Sequence, residues 1–226
     1  MKNRPKLLLA TLATSLLLWS LSTAQQSQPT VTFFHGNKVS FAMPAIDSVE
    51  HLALGPVVVC VASAPMPQCY TPPKANPPFG TDPKAKVVQL KSGIDGLLFE
   101  VRATAGGSGS THLLALLEPG KGKYLSNLTP ELTFGDQSEY HFWNVPSVSD
   151  MPLLVLADAS WGSGETHFSK HRFFVTAYSF DTALHVYSLR DKYLTSGKYA
   201  SFDEVDVINV LEPEREEILA RLKRQH

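Results

Sequence analysis

The stretch Val101-Arg102-Ala103-Thr104-Ala105-Gly106-Gly107-Ser108-Gly109-Ser110-Thr111-His112 runs from an alternating segment into a glycine-serine turn and out again. Its last six residues return fifty-five positions later as Gly162-Ser163-Gly164-Glu165-Thr166-His167, again after an apolar run, Val155-Leu156-Ala157-Asp158-Ala159. Glycines supply the positive φ angles of tight hairpin turns, so each copy reads as strand–turn–strand. A repeated supersecondary unit stacks or pairs with its copy. Two readings follow. In the structural one, two hairpins lie side by side. In the functional one, two equivalent turns present Thr111-His112 and Thr166-His167 on one rim, where binding residues of sheet folds collect.

Working outward from that stretch, the punctuation stays regular. Residues 97–104 place Leu97, Phe99, Val101 and Ala103 on one face and Glu100, Arg102 and Thr104 on the other, the period of a strand. Strands are expected at 87–91, 112–118, 131–134, 140–145, 152–158, 167–180 and 184–189, with a turn at 92–96. Residues 30–34 and 38–41 read as a hairpin around His35-Gly36-Asn37, and Val57-Val58-Val59-Cys60-Val61 reads as a buried strand. Seven prolines between Pro65 and Pro83 predict an extended loop there, because proline cannot donate to a ladder. About ten strands at this spacing predict a mainly β domain: a sandwich, a barrel or a partial propeller.

The C-terminus changes character. Ser201-Phe202-Asp203-Glu204 fits a capping box, and residues 212–224 read as an α-helix. Pro213 suits its first turn, acids gather at its start, and Arg221, Lys223 and Arg224 gather at its end, as the helix dipole favours. Leu211, Ile218, Leu219 and Leu222 form its apolar stripe. That stripe docks on the sheet or, alternatively, receives a partner.

Hydrophobic residues are 43% of the 226 and charged residues 18%, enough apolar content to fold and too little charge for a disordered tail. Residues 1–24 run from a basic segment (Lys2, Arg4, Lys6) through an apolar stretch to Ser22-Thr23-Ala24, the order of a signal peptide cut after Ala24. Residues 25–29 then form a polar tether, and 30–226 form a single domain. Without the three leader bases, 17 basic residues face 21 acidic ones, a net charge of −4. A chain of that balance, with no basic run, is a poor match for phosphate backbones, so no nucleic-acid partner is expected. No other stretch could span a bilayer, so no transmembrane segment is expected after cleavage, and the location is secreted or periplasmic. Cys60 and Cys69, the only cysteines, are expected to form a disulfide in that oxidising compartment.

Glu165, His167 and His171 fall within seven residues, which raises the question of zinc. On the strand expected at 167–180 the two histidines would lie about 13 Å apart, too far to share one ion. A site would need His112, Glu165 and His167 to be gathered from different segments. Ser108 and Ser163 miss the nucleophile elbow, because no glycine stands two residues after either and both flanks read as strands. No phosphate-binding loop, dinucleotide fingerprint or calcium loop is present, and no cofactor is expected. Trp161, beside glycines in the second turn, is the aromatic expected to face solvent.

The expected function is an extracytoplasmic binding or interaction module for a protein or glycan ligand. Its rim would carry Thr111, His112, Trp161, Glu165, Thr166 and His167. The alternatives are a secreted hydrolase using His and Glu, with His112, Glu165 and His167 as metal candidates, and a structural subunit of an envelope or secreted assembly. Histidines gathered in one cleft would favour the hydrolase. Trp161 on an open rim would favour the binder.

Overall fold

A computed structural model describes residues 32–49, 52–104, 109–200 and 207–224, all within one compact unit. The expected leader, the tether and the 201–204 capping box lie outside the described residues. Thirteen strands and one helix are found among them. The first sheet is a meander of β1 (Phe33–Phe34), β2 (Asn37–Ala42), β3 (Val58–Val61) and β4 (Gln68–Tyr70). The second runs β5 (Thr81–Lys91), β6 (Ile94–Thr104), β7 (Ser110–Pro119) and β8 (Leu125–Asn127). The first part of β7, which β8 leaves free, pairs with β9 (Leu132–Gly135). The third sheet runs β10 (Ser138–Trp143), β11 (Leu153–Ser160), β12 (Arg172–Asp181) and β13 (Val186–Leu194), and α1 (Leu211–Arg224) ends the described chain. The strand pairs within these sheets are antiparallel, and no closed barrel forms among the described residues, which removes that alternative.

The sheets are stacked, with an apolar layer in each of the two gaps between them and a third layer between the last sheet and the helix. Leu97, Phe99, Val101, Leu113, Ala115 and Leu117 of the second sheet meet Phe34, Val39, Val59 and Val61 of the first. On the opposite face, Leu98, Leu114 and Leu116 meet Leu154, Leu156 and Tyr187 of the third sheet. The far face of the third sheet, with Trp143, Val155, Phe173 and Val175, is covered by Leu211, Ile218 and Leu222 of the helix. The apolar stripe of α1 is thus consumed by docking.

Several expectations change for identifiable reasons. The face of β6 expected to be polar is buried at Leu98, because the third sheet packs there. The proline-rich stretch contains β4 and the start of β5. Pro83 fits there because the register jumps between Thr81 and Lys84, leaving Asp82 (φ 47°) and Pro83 unpaired in a bulge. The expected 92–96 turn tightens to Ser92-Gly93, with Gly93 at φ 75°. Residues 167–171 are not strand: Thr166 and Ser169 close a turn through Ser169 N–H to Thr166 O (2.9 Å), and β12 starts at Arg172.

Edge contacts hold the first two sheets together. Cys60 and Cys69 face each other across β3 and β4 and are disulfide-bonded. Beside that bond, Cys69 N–H donates to Lys123 O (2.9 Å), and Gln68 Nε2 donates to Gly120 O and Gly122 O at the turn before β8. At the other edge Thr32 Oγ1 donates to Ala85 O of β5 (3.0 Å). No helix among the described residues is long and apolar enough to cross a membrane.

Helix α1 starts against the third sheet. Glu139 Oε2 of β10 accepts Val210 N–H (2.7 Å) and Leu211 N–H (2.9 Å), filling the role of an N-cap from another element. Tyr193 and Tyr199 donate to Glu214, and Arg221 pairs with Asp191. Replacing Glu139 by Ala should cost about 1–2 kcal/mol in denaturant unfolding, the scale of a lost cap. Leu116→Ala, fully buried between the second and third sheets, should cost about 2–5 kcal/mol. Leu189→Ala, 58% exposed, should stay within roughly 0.5 kcal/mol. Equal effects for the two leucines would refute the stacked arrangement.

Candidate functional site

At one end of the interface between the second and third sheets, polar side chains replace leucines. Glu100 and Arg102 follow Leu98 on the same face of β6, and His112 lies opposite Arg102 on β7. The His112 ring lies flat on Phe134 of β9, with centroids 5.2 Å apart and planes at 12°. Its Nδ1 is 2.9 Å from Glu100 Oε1 and its Nε2 is 2.9 Å from Asp136 Oδ1. Tyr140 of β10 donates to Glu100 Oε2 (3.1 Å) from across the sheet interface. Arg102 reaches Asp82 (2.9 Å), Ser110 Oγ (2.7 Å) and Asp136 (3.4 Å), and Asp136 Oδ2 accepts Ser110 N–H (2.8 Å).

Both ring nitrogens of His112 face carboxylates, so the imidazole satisfies both only as a doubly protonated cation. Burial alone would lower its pKa, but the bonds to Glu100 and Asp136 outweigh it and raise the pKa above the ordinary value. Glu100 is held below its ordinary value, first by the bond from His112, against burial and with help from Tyr140. Asp136 is likewise lowered: burial would raise it, but His112, Ser110 N–H and Arg102 prevail. With both nitrogens engaged, His112 bridges the two carboxylates.

Beside this network lies an open cleft of about 440 Å³. Gly109, Ser110 and Thr111 line it from the start of β7, and Gly135, Asp136 and Gln137 line it from the β9–β10 link. Asp158 and Ala159 come from the end of β11, and Trp161 and His167 from the loop that follows. Residues 105–108 lie outside the described residues. Trp161 is 47% exposed, and its ring contacts those of His167 (4.7 Å) and His171 (4.4 Å). Asp158 Oδ1 accepts Gly135 N–H (3.0 Å) and the Ser138 hydroxyl (2.6 Å). Gln137 donates from Nε2 to His167 O (3.3 Å), while its Oε1 is buried without a partner.

The sequence candidates divide accordingly. Thr111, Trp161 and His167 line the cleft. His112 sits beside it, engaged in the network. Glu165 shapes the loop: it accepts Lys198 Nζ (2.6 Å) and Gly162 N–H (2.7 Å) and holds His171 Nδ1 (3.0 Å). Those contacts, Lys198 first, lower its pKa to about 2. Thr166 closes the adjacent turn, where its Oγ1 accepts Phe168 N–H. The 13 Å separation expected for His167 and His171 does not apply, because the turn at 166–169 brings both rings onto the same indole. Among the described residues no group of three His, Cys, Asp or Glu side chains converges as metal ligands would.

Asp136, Gln137 and Asp158 were not anticipated from sequence. Asp158 did carry a signal, as a lone acid in an otherwise apolar strand. The link at 135–137 carried none, since its place depends on which sheets it joins.

The sign of the pH dependence follows from these shifts. A raised His112 pKa gives stability that is full below about 6.5 and lost as pH rises through the folded value. Lowered Glu100 and Asp136 pKa values give stability that is present above about 4.5 and 3.8, and lost as pH falls through their folded values. The network therefore stabilises most between about pH 4.5 and 6.5. The difference in Tm between the native protein and His112→Gln should peak in that window and shrink as the pH rises above it. A difference independent of pH would mean that no protonated His112 bridges the two carboxylates. No protein family, curated protein or solved structure is similar enough to this chain to supply a relation.

Proposed function

We propose that the chain is an extracytoplasmic binding module that seats a glycan in the cleft between the Thr111, Asp136 and Trp161 segments. The observation that carries this reading is the make-up of the cleft wall. An exposed indole, one alanine (Ala159) and two glycines are set among Ser, Thr, Asp, Gln and His side chains. Such a wall has no apolar pocket for a peptide side chain. It does have a flat aromatic platform, with polar groups around it to meet hydroxyls. A pyranose presents a C–H face and a rim of hydroxyls, and that matches.

The cleft draws on both Gly-Ser-Gly-x-Thr-His segments, Thr111 from one and His167 from the other, as a shared rim requires. The hydrolase built on His112, Glu165 and His167 has less support, because two of the three are committed to carboxylate and loop contacts. The structural-subunit reading loses its helix surface, since Leu211, Ile218 and Leu222 are covered by the third sheet. The disulfide and the leader-like N-terminus both fit export.

The test is a glycan array followed by calorimetry on the best sugar, with Trp161→Ala beside the native protein. Loss of the platform should weaken binding about 30-fold, a hot-spot effect of roughly 2 kcal/mol. The unfolding midpoint should hardly move, because the ring is half exposed. Unchanged affinity in the variant would place the ligand elsewhere.

A further inference from the structure

We infer that the sugar this cleft selects carries a protonated amine: a glucosamine-type residue, with its ammonium toward Asp158 and its ring on Trp161. The inference rests on the glycan reading above and adds the charge of the ligand. Asp158 stands half-buried at the end of β11, after Leu153, Leu154, Val155, Leu156 and Ala157. Its Oδ1 takes two hydrogen bonds from neutral donors, Gly135 N–H and the Ser138 hydroxyl. Among the described residues no Lys, Arg or His nitrogen comes within ion-pair distance of it. The neighbouring network does not balance this charge. Asp82, Glu100 and Asp136 already engage Arg102, His112 and the nearby Lys84, so the network has no cation to spare for Asp158.

A second, independent observation points to a donor-bearing ligand. Gln137, 4% exposed, stands in the cleft wall with its amide nitrogen committed to His167 O, which leaves Oε1 an acceptor with no donor. A buried acceptor without a donor is costly unless a bound group completes it. The cleft therefore offers unfilled acceptors and, in Asp158, a carboxylate with no cation beside it among the described residues. An ammonium brings three N–H donors and the missing charge, and the face of an indole attracts it as well. An acetylated amine brings one N–H and no charge, and a neutral hydroxyl brings one O–H.

The experiment measures binding of oligomers of glucosamine, N-acetylglucosamine and glucose by calorimetry at about pH 6, at about 50 and about 500 mM salt. The glucosamine oligomer should bind at least about tenfold more tightly than the other two, and the advantage should shrink at the higher salt. Asp158→Asn keeps the Oδ1 acceptor for Gly135 and Ser138. It should remove the preference, bringing the glucosamine oligomer down to the affinity of the neutral ones. Equal, Trp161-dependent binding of all three sugars would overturn the amine assignment and leave the glycan reading standing. No binding of any sugar would overturn both. An oligolysine peptide that binds as tightly as the glucosamine oligomer would overturn the sugar assignment. The comparison of oligomers and salt in the native protein needs no variant, so an Asp158→Asn chain that fails to fold does not remove the test.

Discussion

Strands β6 and β7 are covered on both faces, by the first sheet over Leu97, Phe99, Val101 and Leu113, and by the third over Leu98, Leu114 and Leu116. Side chains that alternate across a sheet here find apolar neighbours in both directions, and the remaining structure answers to that. A charged side chain on such a strand must leave the sandwich or bring its own partners. Glu100, Arg102 and His112 do the latter at the end where β9 crosses to β10. There His112 spans two carboxylates, and Arg102 reaches Asp82, Asp136 and Ser110. These groups are mutually dependent, because removing one leaves the others desolvated and unpaired.

The same end holds the cleft, and the cause is a short connection. Asp136 and Gln137 alone separate β9, in the second sheet, from β10, in the third. Two residues cannot span a wide gap, so the sheets are pinned together where the chain crosses. Asp136 then faces two ways: it receives His112, Arg102 and Ser110 N–H, and it lines the cleft. A wall built on a tied crossing and two strand ends is held by backbone pairing, an arrangement that would lower the ordering cost of binding there.

How much of this was legible in the sequence depends on which level set each feature. The hairpin at His35-Gly36 was legible because a two-residue turn with positive φ at both positions has a strong local signature. The helix was legible from its charge gradient and stripe, yet its cap was not, since Glu139 lies seventy-two residues from Leu211. The short β4 and β8 escaped notice. One lies among prolines that a bulge and an edge accommodate, and the other is a three-residue strand held by its partner. Trp161 was placed on the open surface by its glycine neighbours, and there it is. Asp136 and Gln137 escaped because their role arises from joining two sheets, and no local pattern encodes that.

The two hexapeptides differ at one position, and that difference separates their structures. In the first copy the residue is Ser110. Its N–H is taken by Asp136 and its hydroxyl by Arg102, and the chain goes straight into β7, opposite Thr104. Thr111 and His112 follow as strand residues, and His112 is drawn into the network. In the second copy the residue is Glu165. Its longer carboxylate reaches back to Gly162 N–H, across to His171 and out to Lys198, so the chain turns on itself instead of pairing. Thr166 and His167 leave the ladder in the turn closed by Ser169, and β12 begins five residues later than His167. Of two nearly identical segments, one is thus built into the sheet as the support of the network. The other is released to carry Trp161 and His167 over the cleft.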